Sequence, residues 1–364
     1  MVQSTTFTKI AVGDKDMGDE GVIALCSSGC GNMEVLDLAY KSVSEKGMKV
    51  LGETFGNSTR LMELNLSRNP TIGNQGLVAF CEAVSGDVLL PNLHTLNIAE
   101  CEIGAEGVGC LSTLLVQTGC TTLGLASNPL GASSCSSLIP LLNGETLKML
   151  HLGSCALEDD GVAILCQAVR AKACTGLETL DLSENGIGTD GATELAKSFW
   201  FENESCWKAL SELKLAGNSI GGAGMTAIAE ALSGAKSLQS LDASHTDCGG
   251  EGAVSLIGNT GLKRLRLFNN TLGSSGFNAL STVLPECTLL ELDLGGNDAG
   301  ADSVKDLLHT ILTTEQITLK VLEIGGNDTS MEVEEEIGEI TKVHPDLDIA
   351  RDKPREAAEP EIES

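Results

Sequence analysis

Four sets of residues in this 364-residue chain have types and spacings that could do chemistry. Gly186-Ile-Gly-Thr-Asp-Gly191 satisfies G-x-G-x-x-G, the spacing by which a glycine turn brings backbone N–H groups against a pyrophosphate. That use needs a buried strand just before the turn, inside a βαβ sheet. Here the motif is echoed by Ile220-Gly-Gly-Ala-Gly224, so it reads as a recurring turn. His151 and His245 could both point out of the strand face and each ligate a metal, but they fall in units several strands apart and cannot share one. Cys26 and Cys30 form a single C-x-x-x-C without the second pair of a zinc site, which makes them a structural thiol pair. The fourth set is basic. Lys263, Arg264 and Arg266 fall within four residues of a chain that carries 23 Lys+Arg against 51 Asp+Glu. Neither a Walker-type phosphate loop nor H-E-x-x-H occurs, so no catalytic residue, metal or cofactor is expected.

What must position these residues is a repeating unit. L-x-x-L-x-L-x-x-N is cleanest at 177–185, 210–218, 262–270 and 289–297, with weaker copies from 7–15 to 319–327. Its ninth position is filled by Asn69, Cys101, Asn128, Cys155, Asn185, Asn218, Asn270, Asn297 and Asn327, and successive units are 24 to 33 residues long. Six residues further on stands a small residue (Gly47, Gly107, Gly161, Gly224, Gly276), and four beyond that an apolar one (Leu51, Leu111, Leu165, Ile228, Leu280). Segments such as Gly191-Ala-Thr-Glu-Leu-Ala-Lys-Ser-Phe199 have helical spacing and good helix formers. Each unit therefore reads as strand, turn, helix. Parallel strands stack about 4.8 Å apart while packed helices need about 8–10 Å, so such an array bends. The expected fold is an α/β leucine-rich-repeat solenoid, a horseshoe of about twelve repeats. Its parallel sheet lines the concave face and its helices the convex one. Residues 1–345 form that domain, with end units acting as caps, and 346–364 form an acidic, disordered tail.

Charge and composition narrow the partner. A net charge of −28 argues against nucleic acid and anionic membrane, and favours another protein with basic patches. The chain has 13 scattered cysteines, begins without a basic, then apolar, export signal, and has no apolar run of membrane-spanning length. A reduced, cytoplasmic protein, with nuclear or perinuclear placement open, follows as the expectation, and a monomer.

Between the strand leucines, alternate side chains leave the core. One outward column runs Ala11, Asp37, Asn65, Asn97, Gly124, His151, Asp181, Lys214, Asp242, Arg266, Asp293 and Glu323. A second holds Glu63, Met149, Glu212, Arg264, Glu291 and Val321. The basic spot thus acquires neighbours: Asp242 and Asp293 flank Arg266, and Glu291 flanks Arg264. It is either a salt-bridge ladder, at roughly 0.2–1 kcal/mol per pair, or a binding hot spot. Candidate contacts for a partner are Arg264, Arg266, Phe268, Asn269, Lys214, Asp242, Asp293 and His245. A second anomaly, Ser198 to Trp207, holds Phe199, Trp200, Phe201 and Trp207; it is a hydrophobic cover or a protruding partner loop.

Long units with a full helix, Asn and Cys at the ninth position and many free cysteines resemble the ribonuclease-inhibitor class of leucine-rich repeats, over about residues 7–345. That class implies protein binding, and it hosts inhibitors, cytoskeletal proteins, immune receptors and GTPase activators. The overall plan, with Ile324-Gly-Gly-Asn-Asp-Thr-Ser-Met-Glu-Val leading into an acidic end, also resembles Ran GTPase-activating proteins. This second resemblance implies a turn Asn-Asn that positions the GTPase's own glutamine, and a loop arginine. In this chain Ser127 and Asn128 stand at that turn, with Ser127 in place of the first Asn, and the nearest arginine is Arg68. An Asn-Asn turn does occur at Asn269-Asn270, five units later. The expected function is a non-catalytic interaction module, a scaffold or inhibitor holding a partner on the concave face. The alternative is a GTPase-activating protein for a Ran-type small GTPase.

Overall fold

The structure is a computed structural model that describes residues 8–11, 17–84, 89–201, 204–233, 235, 237–259, 261–328 and 330–351. Two compact units divide it: Met1–Asn185 with Cys206–Leu210, and Gly186–Ser205 with Ser211–Ser364. The first carries seven strands: β1 (Lys9–Ala11), β2 (Val35–Asp37), β3 (Glu63–Asn65), β4 (Thr95–Asn97), β5 (Thr122–Gly124), β6 (Met149–His151) and β7 (Thr179–Asp181). Each pairs in parallel with the next. Six helices alternate with them: α1 (Gly18–Ser27), α2 (Glu45–Phe55), α3 (Gly73–Ala83), α4 (Ala105–Leu115), α5 (Gly131–Leu142) and α6 (Glu158–Ala171).

The second unit opens with α7 (Thr189–Phe199) and the hairpin β8 (Trp200–Phe201) with β9 (Glu204–Ser205). Six parallel strands follow: β10 (Glu212–Lys214), β11 (Ser240–Asp242), β12 (Arg264–Arg266), β13 (Glu291–Asp293), β14 (Val321–Glu323) and β15 (Asp348–Ala350). Helices α8 (Gly221–Leu232), α9 (Gly249–Asn259), α10 (Gly273–Val283), α11 (Ala301–Thr313) and α12 (Met331–Val343) lie between them. The α/β leucine-rich-repeat fold expected from the spacing is thus formed, with twelve strand–helix pairs and a closing strand among the described residues. That closing strand, β15, lies inside the stretch assigned above to the tail; residues 352–364, and position 15 closing the first unit, lie outside the described residues.

Every parallel strand is three residues long, and those from β2 to β7 and β10 to β14 bury their middle residue: Leu36, Leu64, Leu96, Leu123, Leu150 and Leu180 in the first unit, Leu213, Leu241, Leu265, Leu292 and Leu322 in the second. So short a strand cannot satisfy the turn that follows it, and the ninth-position asparagine does. Asn270 Oδ1 accepts from Thr246 N (2.9 Å) and Cys248 N (3.2 Å) of the preceding turn. Its Nδ2 donates to the carbonyl of Ala243 at 2.7 Å. Asn69, Asn128, Asn185, Asn297 and Asn327 repeat the pattern, each accepting two N–H groups and donating to two carbonyls or more. The cysteines substitute for only half of this. Cys101 and Cys155 donate to Leu66 and Leu125 carbonyls, but a thiol holds no pair of N–H groups as an amide does.

The residue just before each ladder position is driven to positive φ by the tight turn: Tyr40, Arg68, Glu100, Ser127, Ser154, Glu184, His245 and Asn269, with glycine at 217, 296 and 326. Helices are packed as tightly as the small residues predict, and a Cβ on Gly250 would come within 2.9 Å of the Gly276 Cα. Several N-termini are capped from the neighbouring repeat, as when Asp19 accepts from Ser44 N and Gly47 N of α2. In the aromatic segment Phe199 and Trp207 are buried, while Trp200 is exposed and its indole N–H donates to the Ala231 carbonyl at the end of α8.

Asn270→Ala should lower stability by at least about 2 kcal/mol, because it orphans two buried N–H groups and a carbonyl at once. Asn269→Ala, one residue earlier and exposed, should cost less, about 1 kcal/mol, because alanine tolerates the left-handed turn position poorly. Urea unfolding followed by far-ultraviolet circular dichroism checks both.

Candidate protein-binding face

The two outward columns are in the register the sequence implies. Arg266 sits between Asp242 and Asp293, and Arg264 opposite Glu291 and Ser240. The acidic members of the third-position column, however, are partly spent on their own turns. Asp37, Asn65, Asn97, Asp181, Asp242 and Asp293 each accept, through Oδ1, the N–H two residues on, at 2.9–3.1 Å. This second use was missed in the sequence. Its signal is an Asp or Asn closing the strand with a small residue two positions later.

In the second unit, strands β10 to β14 form a shallow hollow of about 140 Å³. Glu212, Asp242, Glu291, Asp293 and Glu323 line it against Arg264 and Arg266, so the hollow is acidic. The expected ladder of ion pairs is largely absent. Arg266 reaches Asp242 only at 3.7 Å, with its side chain 48% exposed. Lys214 reaches Glu212 of its own strand at 3.9 Å. Arg264 is exposed and, although in register with Glu291, has no ion-pair partner among the described residues. Asp293 is the most buried acid of the face, and burial pushes its carboxyl up to about 6; the Gly295 N–H lowers it, Glu323 raises it, Arg266 lowers it and Asp242 raises it.

Three of the sequence candidates lie on the turn edge beside this hollow. Phe268 follows β12 and is half-buried, its ring lying on Gly295 and Gly296, where an added Cβ would meet it at 2.9–3.0 Å. His245 is not on the strand face, as its unit placement suggested. It occupies the left-handed turn position, exposed, with its ring edge-on to Phe268 at 5.2 Å. Asn269 Nδ2 lies 2.8 Å from His245 Nδ1, so the two side chains are joined across the turn edge.

In the first unit the GTPase-contact candidates separate. Asn128 is 1% exposed and its amide is saturated by Cys101 N, Ile103 N and the carbonyls of Ile98 and Leu125. Ser127 is exposed at the turn edge, and Arg68 is paired with Glu100 at 3.0 Å. His151 lies on the strand face, 3.9 Å from Asp181. Among the described residues no group of three or more His, Cys, Asp or Glu side chains is arranged to hold a metal ion. No helix among them is long and apolar enough to cross a membrane.

A leucine-rich-repeat family model matches residues 57–81, 90–112, 173–196 and 209–229. The chain is 28% identical over 303 residues to a mouse ribonuclease inhibitor, covering 79% of this chain and 58% of that protein. It is 29% identical over 366 residues to a pig ribonuclease inhibitor, covering 88% of this chain and 77% of that one. It is also 29% identical over 308 residues to human NACHT, LRR and PYD domains-containing protein 14, covering 82% of this chain and 27% of that protein. The chain therefore spans little more than half of the mouse inhibitor and about a quarter of the human protein.

Because Asp293 ionises less readily folded than unfolded, its ionisation opposes folding. The stability it contributes is fully present below about pH 4 and lost as the pH rises through 6. Asp293→Asn keeps an acceptor for Gly295 N. It should therefore be more stable than wild type above pH 6, by on the order of 1–3 kcal/mol, with the gain vanishing towards pH 4. Thermal unfolding across that range checks the sign.

Proposed function

We propose that this chain, a leucine-rich-repeat protein of the ribonuclease-inhibitor type, is a non-catalytic protein-binding module, a scaffold or inhibitor that holds another protein on the concave strand face. The observation that carries the reading is the acidic hollow of β10 to β14 with the unpaired Arg264 at its centre. Exposed, incompletely paired charges on rigid strands complement a basic surface without a conformational change, and an exposed arginine beside Phe268 is the residue combination that anchors interfaces. A ribonuclease is the first partner to try, because two of the relatives this chain resembles are named as its inhibitors. The chain acts as a monomer in the cytoplasm on this reading.

The activator alternative rests on the turn edge of the first unit, where Ser127 and Arg68 present side chains that a GTPase could meet. Asn128 takes no part in it, since its amide is committed to the ladder.

Titration of the protein with a basic ribonuclease should show saturable binding that weakens as salt is raised. Glu291→Lys should reduce affinity roughly 10-fold or more, while Asp302→Lys on α11 leaves it unchanged. Binding insensitive to Glu291→Lys would place the contact elsewhere. Single-turnover GTP hydrolysis by a Ran-type GTPase, with the protein substoichiometric, separates the second reading: a flat trace is expected, and acceleration by several orders of magnitude would establish activation instead.

A further inference from the structure

The dipeptide Asn-Gly occurs twice in the chain, at Asn143-Gly144 and Asn185-Gly186, and the fold treats the two oppositely. Glycine has no Cβ to keep its backbone nitrogen away from the preceding side chain, so an Asn-Gly step is open to attack on the amide unless the structure holds the asparagine. Asn185 is held. It is 1% exposed, its Oδ1 accepts from Cys155 N (3.0 Å) and Leu157 N (3.2 Å), and its Nδ2 donates to the carbonyls of Leu152 (2.7 Å) and Ser183 (3.0 Å). Turning that amide toward Gly186 would break all of these bonds inside the repeat stack.

Asn143 is in the contrary position. It follows α5 in the turn that leads to β6, and it is half-buried, with Glu145 and Thr146 exposed just beyond it. Its side-chain carbonyl oxygen is buried with no hydrogen-bond partner among the described residues, so turning the amide costs that oxygen nothing. The backbone beside it is lightly tied as well. Pro140, inside the last turn of α5, has no N–H to give the Ser136 carbonyl, and the Gly144 N–H reaches the Leu141 carbonyl at 3.2 Å, the long end of the ordinary range.

We propose that Asn143 is a site of spontaneous covalent modification, converted through a cyclic imide to aspartate and isoaspartate while Asn185 stays intact. The Gly144 nitrogen gives up its proton to water and attacks the side-chain carbonyl carbon of Asn143. The new C–N bond closes a five-membered ring, the amide C–N bond breaks, and ammonia leaves with the proton returned. Water then adds to one of the two ring carbonyls: opening on the side-chain carbon gives aspartate, and opening on the backbone carbon gives isoaspartate. One water is consumed, one ammonia is released, and no electrons are exchanged. The product places a carboxylate in a turn that was neutral. Lys172 Nζ, which donates to the Asn143 backbone carbonyl at 2.8 Å, stands ready to pair with it. The inference is independent of which protein the strand face holds.

The test incubates the full folded chain at mildly alkaline pH, then cleaves it after glutamate under mildly acidic conditions. Residues 107–145 then carry Asn143 and residues 185–194 carry Asn185. Mass spectrometry should show the amide-to-acid exchange at Asn143, and enzymatic methyl transfer to the isoaspartyl carboxylate should label the same peptide. Conversion at Asn143 should be at least about 10-fold faster than at Asn185, which reacts only when its repeats open, and the two rates should converge in urea. Gly144→Ala should slow the reaction about 10-fold, because its Cβ crowds the attacking nitrogen. The nearest atom that Cβ meets is the Leu141 carbonyl oxygen at 3.3 Å, so the variant fits the turn. Equal rates at the two sites in the folded chain, an Asn143 that reacts only in urea, or aspartate without isoaspartate would overturn the proposal.

Discussion

A buried asparagine amide with all its hydrogen-bonding capacity used is the constraint on which the rest depends. Strands of three residues leave the following turn without partners, and water cannot enter between stacked repeats to supply them. Asn69, Asn128, Asn185, Asn270, Asn297 and Asn327 each close the gap by joining the turn before them to the strand carbonyls around them. Each amide bonds both within its own repeat and across to the preceding one, so no repeat is complete without its neighbour. The tight turn that results also forces the preceding residue to positive φ, which places side chains from Tyr40 to Glu184 along one edge of the first unit's strands, and His245 and Asn269 along an edge of the second's.

The outward face inherits its properties from that frame. Its register is fixed by the leucines and the ladder, so charges such as Arg264 and Glu291 are presented on strands that cannot move to pair them. All the aspartates of the first column are committed to turn N–H groups, and what remains for a partner is the subset without that duty: Glu212, Glu291, Glu323 and the arginines. Asp293 belongs to both sets, held by Gly295 N and facing the hollow, and burial raises its carboxyl.

The repeat, its strand register and the ladder positions were legible in the sequence because they obey fixed spacing. Leu36 to Leu322 and Asn69 to Asn327 recur at offsets that only one local structure satisfies. The site was legible in placement but not in pairing. Columns put Arg264 beside Glu291, yet whether two side chains meet depends on rotamers and solvent, which spacing does not encode. His245 was placed on the strand face because its position in the unit was read before the turn's left-handed geometry was known.

The account is tested most directly by hydrogen exchange, resolved to single amides, on the protein alone. If the Asn270 side chain holds its turn, the N–H groups of Thr246 and Cys248 will exchange as slowly as the strand-to-strand N–H of Leu267, which donates to Asp293. Exchange of those two turn amides at the rate of an exposed loop would contradict it.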